Sequence, residues 1–225
     1  MKTIGQMKEK TIHRQLKEMY SEGTGEMEVT CLGYIVDVVK ENIVYEIQSK
    51  NFYNIKEKIK KLCTENKVVL VHPIAVENII ITLNKKGEII RSRKSPKKGQ
   101  VENIFDELVS APEFINEKNL TIQILLISKE ELRIDDGKGS WRRKGVSKLD
   151  NNLVGIFQTI NLNEPYDYLR FLSKKSMSFT NRQLASELNI SIGIARKITY
   201  TLKKAGILDG TEKIGREILY KINKF

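Results

Sequence analysis

The sequence predicts an α/β fold with a mixed central sheet flanked by helices, followed by a small α+β domain. Over most of the chain, runs of β-branched apolar residues alternate with amphipathic segments of helical period, which is typical of a sheet covered by helices. Beyond about residue 150 the pattern becomes helix, short turn, helix and hairpin. We therefore predict one domain over residues 1–150 and a second over residues 151–225.

Composition excludes several classes of protein. Hydrophobic residues make up 40% of the 225 positions, enough for a real core, but no apolar run approaches the ~18 residues of a membrane span. The N-terminus is charged and amphipathic, so we expect a cytoplasmic protein. Cys31 and Cys63 lie in apolar surroundings without zinc spacing, which favours free thiols. With only His13 and His72, a histidine-rich metal site is excluded.

The charge balance favours a polyanionic partner, nucleic acid first. The formal net charge is +11 and the pI about 9.5. Basic residues concentrate in two loop-like stretches, 85–98 and 137–148, the second of which holds the only tryptophan. Two roles are open for Trp141: it stacks on the bases of a nucleic acid, or it anchors the apolar core of the protein. The side chains expected to contact nucleic acid here are Arg91, Arg93, Lys94, Lys97, Lys98, Trp141, Arg142, Arg143 and Lys144.

Periodicity predicts the elements of the first domain in order. Helical spacing favours helices over 6–22, 52–65 and 100–110. Apolar, β-branched runs predict strands over 27–32, 34–39, 43–48, 68–71 and 120–127, and a hairpin that joins 79–83 to 88–90.

Two carboxylates in adjacent strands are the most informative feature of this domain. If the turn of the hairpin is centred on Glu41 and Asn42, partners have numbers that sum to 83, so Asp37 faces Glu46. Opposed residues share a face with Cβ atoms roughly 4.5–5.5 Å apart. Two carboxylates that close, within apolar strands, need a cation between them or a proton on one of them. We interpret the pair as a metal site.

The N-terminal helix brings a third carboxylate. Glu9 falls within the apolar stripe that includes Leu16, and His13 follows one turn later at its edge. Two interpretations of His13 stay open: it positions a phosphate or a water beside Glu9, or it is a half-buried helix histidine bonded to the backbone.

The second domain has the winged helix-turn-helix pattern. Pro165 opens a short helix, Thr180 is a good N-cap for a helix over 181–188, and a second helix spans 192–205. A turn at Asp209 and Gly210 and a strand over 216–222 then predict a two-stranded wing. The alternative is a winged helix that serves only packing or dimerisation. On the second helix, the expected DNA contacts are Arg196, Lys197, Tyr200 and Lys203.

The order of elements resembles the PD-(D/E)xK, or restriction endonuclease-like, nuclease superfamily. The match consists of an acidic helix, a strand with Asp37, a strand with Glu46-x-Gln48, then a helix and a further strand. Glu9-x3-His13 and the basic stretch around Trp141 are similar to a group of uncharacterised prokaryotic proteins placed in that superfamily. The resemblance implies that Asp37, Glu46 and the Ile47 carbonyl bind Mg²⁺ or Mn²⁺, that Glu9 assists, and that Gln48 replaces the usual lysine.

The implied function is a metal-dependent DNA endonuclease whose winged helix binds duplex or branched DNA. Gln48 motivates the alternative, a non-catalytic DNA-binding or regulatory protein with a degenerate core, because an amide can only orient a water. A third possibility is that Lys56 or Lys58 supplies the lysine that is missing at position 48. Lys50 cannot simply replace it, because it lies roughly 7 Å beyond Gln48 along the strand. A third hypothesis is that the protein binds RNA. Whether it dimerises to cut both strands of a duplex is left open.

Overall fold

The structure, a computed structural model, describes residues 11–223. The predicted acid Glu9 therefore lies outside the described residues. The elements of the larger part are helices α1 (Thr11–Ser21), α2 (Lys56–Cys63) and α3 (Phe105–Leu108), and strands β1 (Glu26–Cys31), β2 (Tyr34–Lys40), β3 (Ile43–Ile47), β4 (Lys67–Leu83), β5 (Ile89–Lys94), β6 (Leu120–Asp135) and β7 (Val146–Leu162). Short 3₁₀ helices lie at Phe52–Ile55, Val101–Ile104, Pro112–Asn116, Trp141–Arg143 and Pro165–Phe171.

A seven-stranded mixed sheet forms the centre of the molecule. Its order is β1-β2-β3-β4-β6-β7, and β5 pairs with the second half of β4. The first three strands form an antiparallel meander, β3, β4 and β6 run parallel, and β7 returns antiparallel. The predicted class, a mixed sheet flanked by helices, is confirmed.

Helices cover both faces of this sheet because its strands alternate apolar side chains between them. On one face, Leu16 of α1 packs into a cluster with Ile47, Val71, Leu125 and Ile127. On the other face, α2 and α3 pack on the alternate residues of the same strands. That second cluster includes Val44, Leu70, Ile122, Ile59, Leu62, Phe105 and Leu108.

The hairpin of β2 and β3 has the predicted register. Val38 pairs with Tyr45, Val39 with Val44 and Lys40 with Ile43. Glu41 and Asn42 both have positive φ, 51° and 63°, as a type I′ turn requires. The turn places the two strands so that the next positions along them are Asp37 and Glu46.

The long strands differ from the prediction. The stretches 68–71 and 79–83 are parts of one strand, β4, and β6 runs eight residues beyond Ile127 to Asp135. The basic stretch after Ile90 is partly strand, because Arg91, Arg93 and Lys94 belong to β5. The division predicted between residues 150 and 151 falls within β7, which stays paired with β6 as far as Leu162.

The C-terminal part builds a smaller sheet around two helices. Its elements are β8 (Ser178–Phe179), α4 (Asn181–Leu188), α5 (Ile192–Lys204), β9 (Leu208–Ile214) and β10 (Glu217–Ile222), and the strand order is β8-β10-β9. The predicted turn at Asp209 and Gly210 is wrong: both lie in β9, and the chain turns at Gly215 and Arg216. A glycine occupies position 210 because a Cβ there would come within 2.8 Å of the Tyr220 ring.

The smaller part shares its core with the larger one. Ala195, Ile198 and Leu202 of α5 belong to the same buried cluster as α2 and α3. Two polar contacts reinforce this packing: Lys197 Nζ lies 2.6 Å from Asp106 Oδ1, and the Asn116 amide donates to the Ala205 carbonyl at 3.0 Å. None of the helices in residues 11–223 is long and apolar enough to span a membrane.

Candidate active site between strands β2 and β3

The regular ladder between β2 and β3 gives way to side-chain hydrogen bonds at the predicted carboxylates. The paired residues of β2 and β3 end at Val38 and Tyr45, and at the next position the Ile47 N–H donates to Asp37 Oδ2 at 2.8 Å. On the other side of Asp37, Glu28 of β1 has a φ of 56°, uncommon for a residue within a strand. The predicted pair therefore occupies an irregular gap in the centre of the meander.

Helix α1 supplies the positive charge around Asp37. His13 Nε2 lies 3.3 Å from Oδ2, and Lys17 Nζ lies 3.6 Å from Oδ1 and 3.0 Å from Glu28 Oε1. Burial favours the protonated carboxyl, but the His13 hydrogen bond, the Ile47 amide and the Lys17 charge outweigh it. The pKa of Asp37 is lowered as a result, so the group is ionised at neutral pH.

Glu46 is the more deeply buried carboxylate, and α2 supplies its cation. Lys58 Nζ donates to Oε1 and, at 2.8 Å, to the Ile35 carbonyl. The other oxygen, Oε2, is buried and has no hydrogen-bond partner. Burial and the Asp37 charge raise the pKa of Glu46, and Lys58 opposes this shift only in part.

The two carboxylates take their cations from opposite faces of the sheet. Helix α1 covers the face with Ile47 and Val71, whereas α2 covers the face with Val44 and Leu70. The regular pairing of β2 with β3 ends one position before the two carboxylates. The predicted register is confirmed by the neighbouring pairs, whereas the predicted common face is not, because Asp37 contacts α1 and Glu46 contacts α2. The Asp37 charge nevertheless raises the pKa of Glu46.

Gln48 makes its hydrogen bonds with residues around the end of β3. Its side-chain amide donates to the Lys50 carbonyl, its N–H donates to the Val71 carbonyl at 2.9 Å, and its carbonyl accepts from His72 Nδ1 at 2.8 Å. These contacts hold the strand end in place, and within residues 11–223 none of the hydrogen bonds of Gln48 reaches Asp37 or Glu46.

The lysine beside Glu46 comes from the following helix. Of the two candidates left open, Lys56 pairs with Glu113, and Lys58 pairs with Glu46. The signal in the sequence was the helical position of Lys58, which borders the apolar stripe of Ile55, Ile59 and Leu62 and so points toward the sheet. Lys17, which lies beside the apolar stripe of α1 and is buried, was missed by reasoning from the sequence.

The donor set fits a hard divalent cation in part. Carboxylate oxygens are the ligands that Mg²⁺ prefers, and the unpartnered Glu46 Oε2 is an oxygen donor without a role in the protein. The Ile47 carbonyl, the third predicted ligand, accepts a 2.9 Å hydrogen bond from His13 Nε2. Within residues 11–223 no group of three His, Cys, Asp or Glu side chains is arranged to hold a metal. Asp37 and Glu46 are thus the ligands that the described structure offers.

The predicted nucleic-acid contacts of the large sheet lie at the surface. Arg91, Arg93, Lys97 and Lys98 are exposed, as is Lys94, which pairs with Glu77 at 2.9 Å. Trp141 is 83% exposed, so the alternative that it anchors a core is wrong. The Arg142 guanidinium lies 5.5 Å from the Trp141 ring centroid, Arg143 Nε donates to the Val146 carbonyl at 3.0 Å, and Lys144 is exposed.

Helix α5 shows one basic face. Arg196, Tyr200 and Lys203 are exposed on it, although Lys203 Nζ donates to the Gly210 carbonyl at 2.9 Å. Lys197 is half-buried and engaged with Asp106 of α3. Its part in holding the two halves together sets it apart from the other three.

Comparison with known proteins places this arrangement in a family. Residues 10–163 match the family described as "Domain of unknown function (DUF8091)", which covers more than half of the chain. The chain belongs to this family. The family region runs from α1 through β7 and ends before the smaller sheet.

A relative from Treponema pallidum (strain Nichols), titled "Uncharacterized protein", is 31% identical over 155 residues. The match covers 68% of this chain and 62% of the relative's length. No solved structure matches the chain significantly.

Proposed function

We propose that the chain is a metal-dependent DNA endonuclease with a restriction endonuclease-like core, and that its C-terminal part is a winged helix that binds duplex DNA. The observation that carries the proposal is the meeting of Asp37, Glu46 and Lys58 in one gap of the sheet. The order helix, meander, helix and parallel strand around this gap supports the same assignment.

The proposed chemistry is phosphodiester hydrolysis. An ion held by Asp37 and Glu46 would neutralise charge at phosphorus and lower the pKa of an attacking water. His13 and Lys17 keep Asp37 ionised, and therefore ready to act as a ligand, at neutral pH. The Lys58 ammonium, with three donors, contributes the positive charge and hydrogen bonding that Gln48 cannot supply.

The C-terminal part supports the binding half of the proposal. Arg196 and Tyr200 lie on the exposed face of α5, and Arg216 is exposed at the turn between β9 and β10. A helix of this kind, followed by a hairpin with an exposed arginine at its turn, is the arrangement with which winged helices contact the phosphates and the major groove of duplex DNA.

Cleavage assays on supercoiled, linear, single-stranded and branched DNA with Mn²⁺ test the proposal. We expect Asp37→Ala to abolish cleavage and Lys58→Ala to slow it by about 10²-fold, the usual effect of removing one transition-state contact. Lys56→Ala is the matched control, because it removes a lysine two residues away that pairs with Glu113. Absence of metal-dependent cleavage on every substrate, or equal cleavage by Asp37→Ala, refutes the assignment.

One observation favours the second candidate, a non-catalytic DNA-binding or regulatory protein. Lys17 and His13 already contact Asp37, and Lys58 already contacts Glu46, so the protein itself supplies a partner for each carboxylate. Calorimetry separates the two functions. A protein that binds DNA but shows no Asp37-dependent binding of Mn²⁺ belongs to the second class, and preference for RNA at fixed salt would exclude both.

A further inference from the structure

The second halves of the long strands form an extension of the sheet that we call the arm. It consists of residues 77–83, 89–94, 128–135 and 146–153, in the strand order β5-β4-β6-β7. Every residue of β5 is exposed, as is Leu149 of β7. The register of β4 and β6 shifts at a bulge between Ala75 and Glu77, where the residues of the arm begin, and at Asp150 and Leu153 the arm still contacts α1.

The arm carries its tip far from the carboxylates. Glu46 lies beside Leu70 of β4, and β4 ends at Leu83, paired with Ile134. Thirteen steps along a strand, at a rise of ~3.3 Å per residue, span at most ~43 Å. The turn that contains Trp141 begins beyond that end, between β6 and β7.

The tip of the arm is an ordered turn, which we call the knuckle (residues 137–145). Gly139 N–H donates to the Gly145 carbonyl at 2.7 Å, and Arg143 N–H donates to the Ser140 carbonyl at 2.9 Å. A Cβ at Gly139 would come within 1.9 Å of the Val146 carbonyl oxygen, so only glycine fits there. Backbone hydrogen bonds within the knuckle therefore fix the position from which Trp141 extends.

The surface of the tip is aromatic and basic. The Trp141 indole is 83% exposed and so gains little from the protein core, and tryptophan is enriched at binding interfaces. Three acids share the tip, Glu88, Asp135 and Asp136, and Asp136 accepts hydrogen bonds from Lys138 N–H and Ser147 Oγ. The exposed cations of the tip and of β5 outnumber these acids: Lys85, Lys86, Lys138, Arg142, Lys144, Arg91 and Arg93.

We propose that the arm holds duplex DNA about one helical turn away from the scissile phosphate. The proposal rests on the function proposed above and names its substrate class. A reach of at most ~43 Å matches at most ~13 base pairs at 3.4 Å each, slightly more than the ~10.5 of one turn. The substrate is then a duplex that continues for about a turn on one side of the cut. Trp141 lies against the sugars there, and Arg142 and Lys144 lie against the phosphates.

Trp141 reports on this contact directly, because it is the only tryptophan of the chain. Without added metal, we expect a duplex of about 30 base pairs to shield the tryptophan fluorescence from iodide at least about twofold. A duplex of about 8 base pairs, shorter than one turn, should bind without shielding it. Anisotropy of labelled DNA measures total binding in the same samples.

Two variants of the knuckle test the contact by different routes. Trp141→Ala removes the ring, and Gly139→Ala distorts its support while it keeps every charge. Both should weaken binding of the long duplex about tenfold and leave the short duplex unchanged. Phe157→Ala is the matched control: this side chain is 63% exposed on β7, outside the arm, and its loss should change neither affinity.

The outcomes separate this inference from the proposed function. If the long duplex binds while Trp141 stays open to iodide, or if both knuckle variants bind like wild type, the arm inference is wrong and the proposed function stands. If single strands or RNA shield Trp141 better than the duplex, the arm inference is equally wrong. If the protein binds no DNA at all, both the arm inference and the proposed function are wrong.

Discussion

At the scale of single residues, the contact between Lys58 and Glu46 decides how the candidate site behaves. The carboxylate is buried, its pKa is raised, and one of its oxygens has no partner. Ion binding at this place requires the ionised carboxylate, so the affinity for a cation should be lost as the pH falls through the raised pKa of Glu46. Lys58 lowers that pKa and so extends the range in which a cation binds.

Lys58→Ala should therefore move the acid limb of Mn²⁺ affinity to higher pH, because Glu46 loses the charge that favours its ionised form. Calorimetric titrations across the acid range measure the shift. Lys56→Ala, which leaves the Glu46 contact intact, should keep the wild-type profile. An unchanged profile in Lys58→Ala would show that Glu46 does not govern ion binding.

At the scale of elements, the β2–β3 hairpin was predictable and the long strands were not. Two residues with positive φ at Glu41 and Asn42 leave one register for strands that bury one face. In β4 and β6, the polar residues Glu77 and Lys129 interrupt the apolar pattern although the ladder continues past both. Strands β4 and β6 extend past these residues because their backbones pair with each other, and the local sequence of one strand carries no information about its partner.

His72 holds the end of one such element. Its Nδ1–H donates to the Gln48 carbonyl, and its ring packs edge-on against Phe52. Burial lowers the pKa of His72, although the Gln48 bond and the charges of Glu107 and Asp106 oppose the shift. The unfolded chain takes up this proton near pH 6.5, so the stabilising contribution is present above that pH and is lost as the pH falls.

We expect the free energy of unfolding to fall on acidification by up to ~1.4 kcal/mol per pH unit from this group. His72→Asn keeps a donor near the Nδ1 position but cannot titrate, so its stability should fall less between about pH 7.5 and about pH 5.5. Urea unfolding at the two pH values measures the difference. Equal losses in both proteins would mean that His72 is not the titrating group.

At the scale of the whole molecule, the two sheets share one apolar core. Ile198 of α5 is fully buried in the cluster that contains α2 and α3. Partly exposed ion pairs such as Lys197 with Asp106 contribute little by comparison. The smaller sheet should therefore unfold together with the larger one.

Calorimetry should show a single transition whose van't Hoff and calorimetric enthalpies agree. Ile198→Ala, which removes a buried side chain at this contact, should lower the stability of the whole molecule by ~2–5 kcal/mol. Ile192→Ala is the control on the same helix, because that side chain is 38% exposed. Two separate transitions, or loss of the smaller sheet alone in Ile198→Ala, would contradict a shared core.

The sequence by itself determined the mixed sheet, the hairpin with Asp37 and Glu46, and helices α4 and α5, because turn residues, caps and alternation act over a few positions. Thr180 does cap α4, accepting from the Gln183 N–H. Only the tertiary structure decided which lysine meets Glu46, how far the arm extends and where α5 packs. Each of these depends on elements distant along the chain, which the packing of both faces of the sheet brings together.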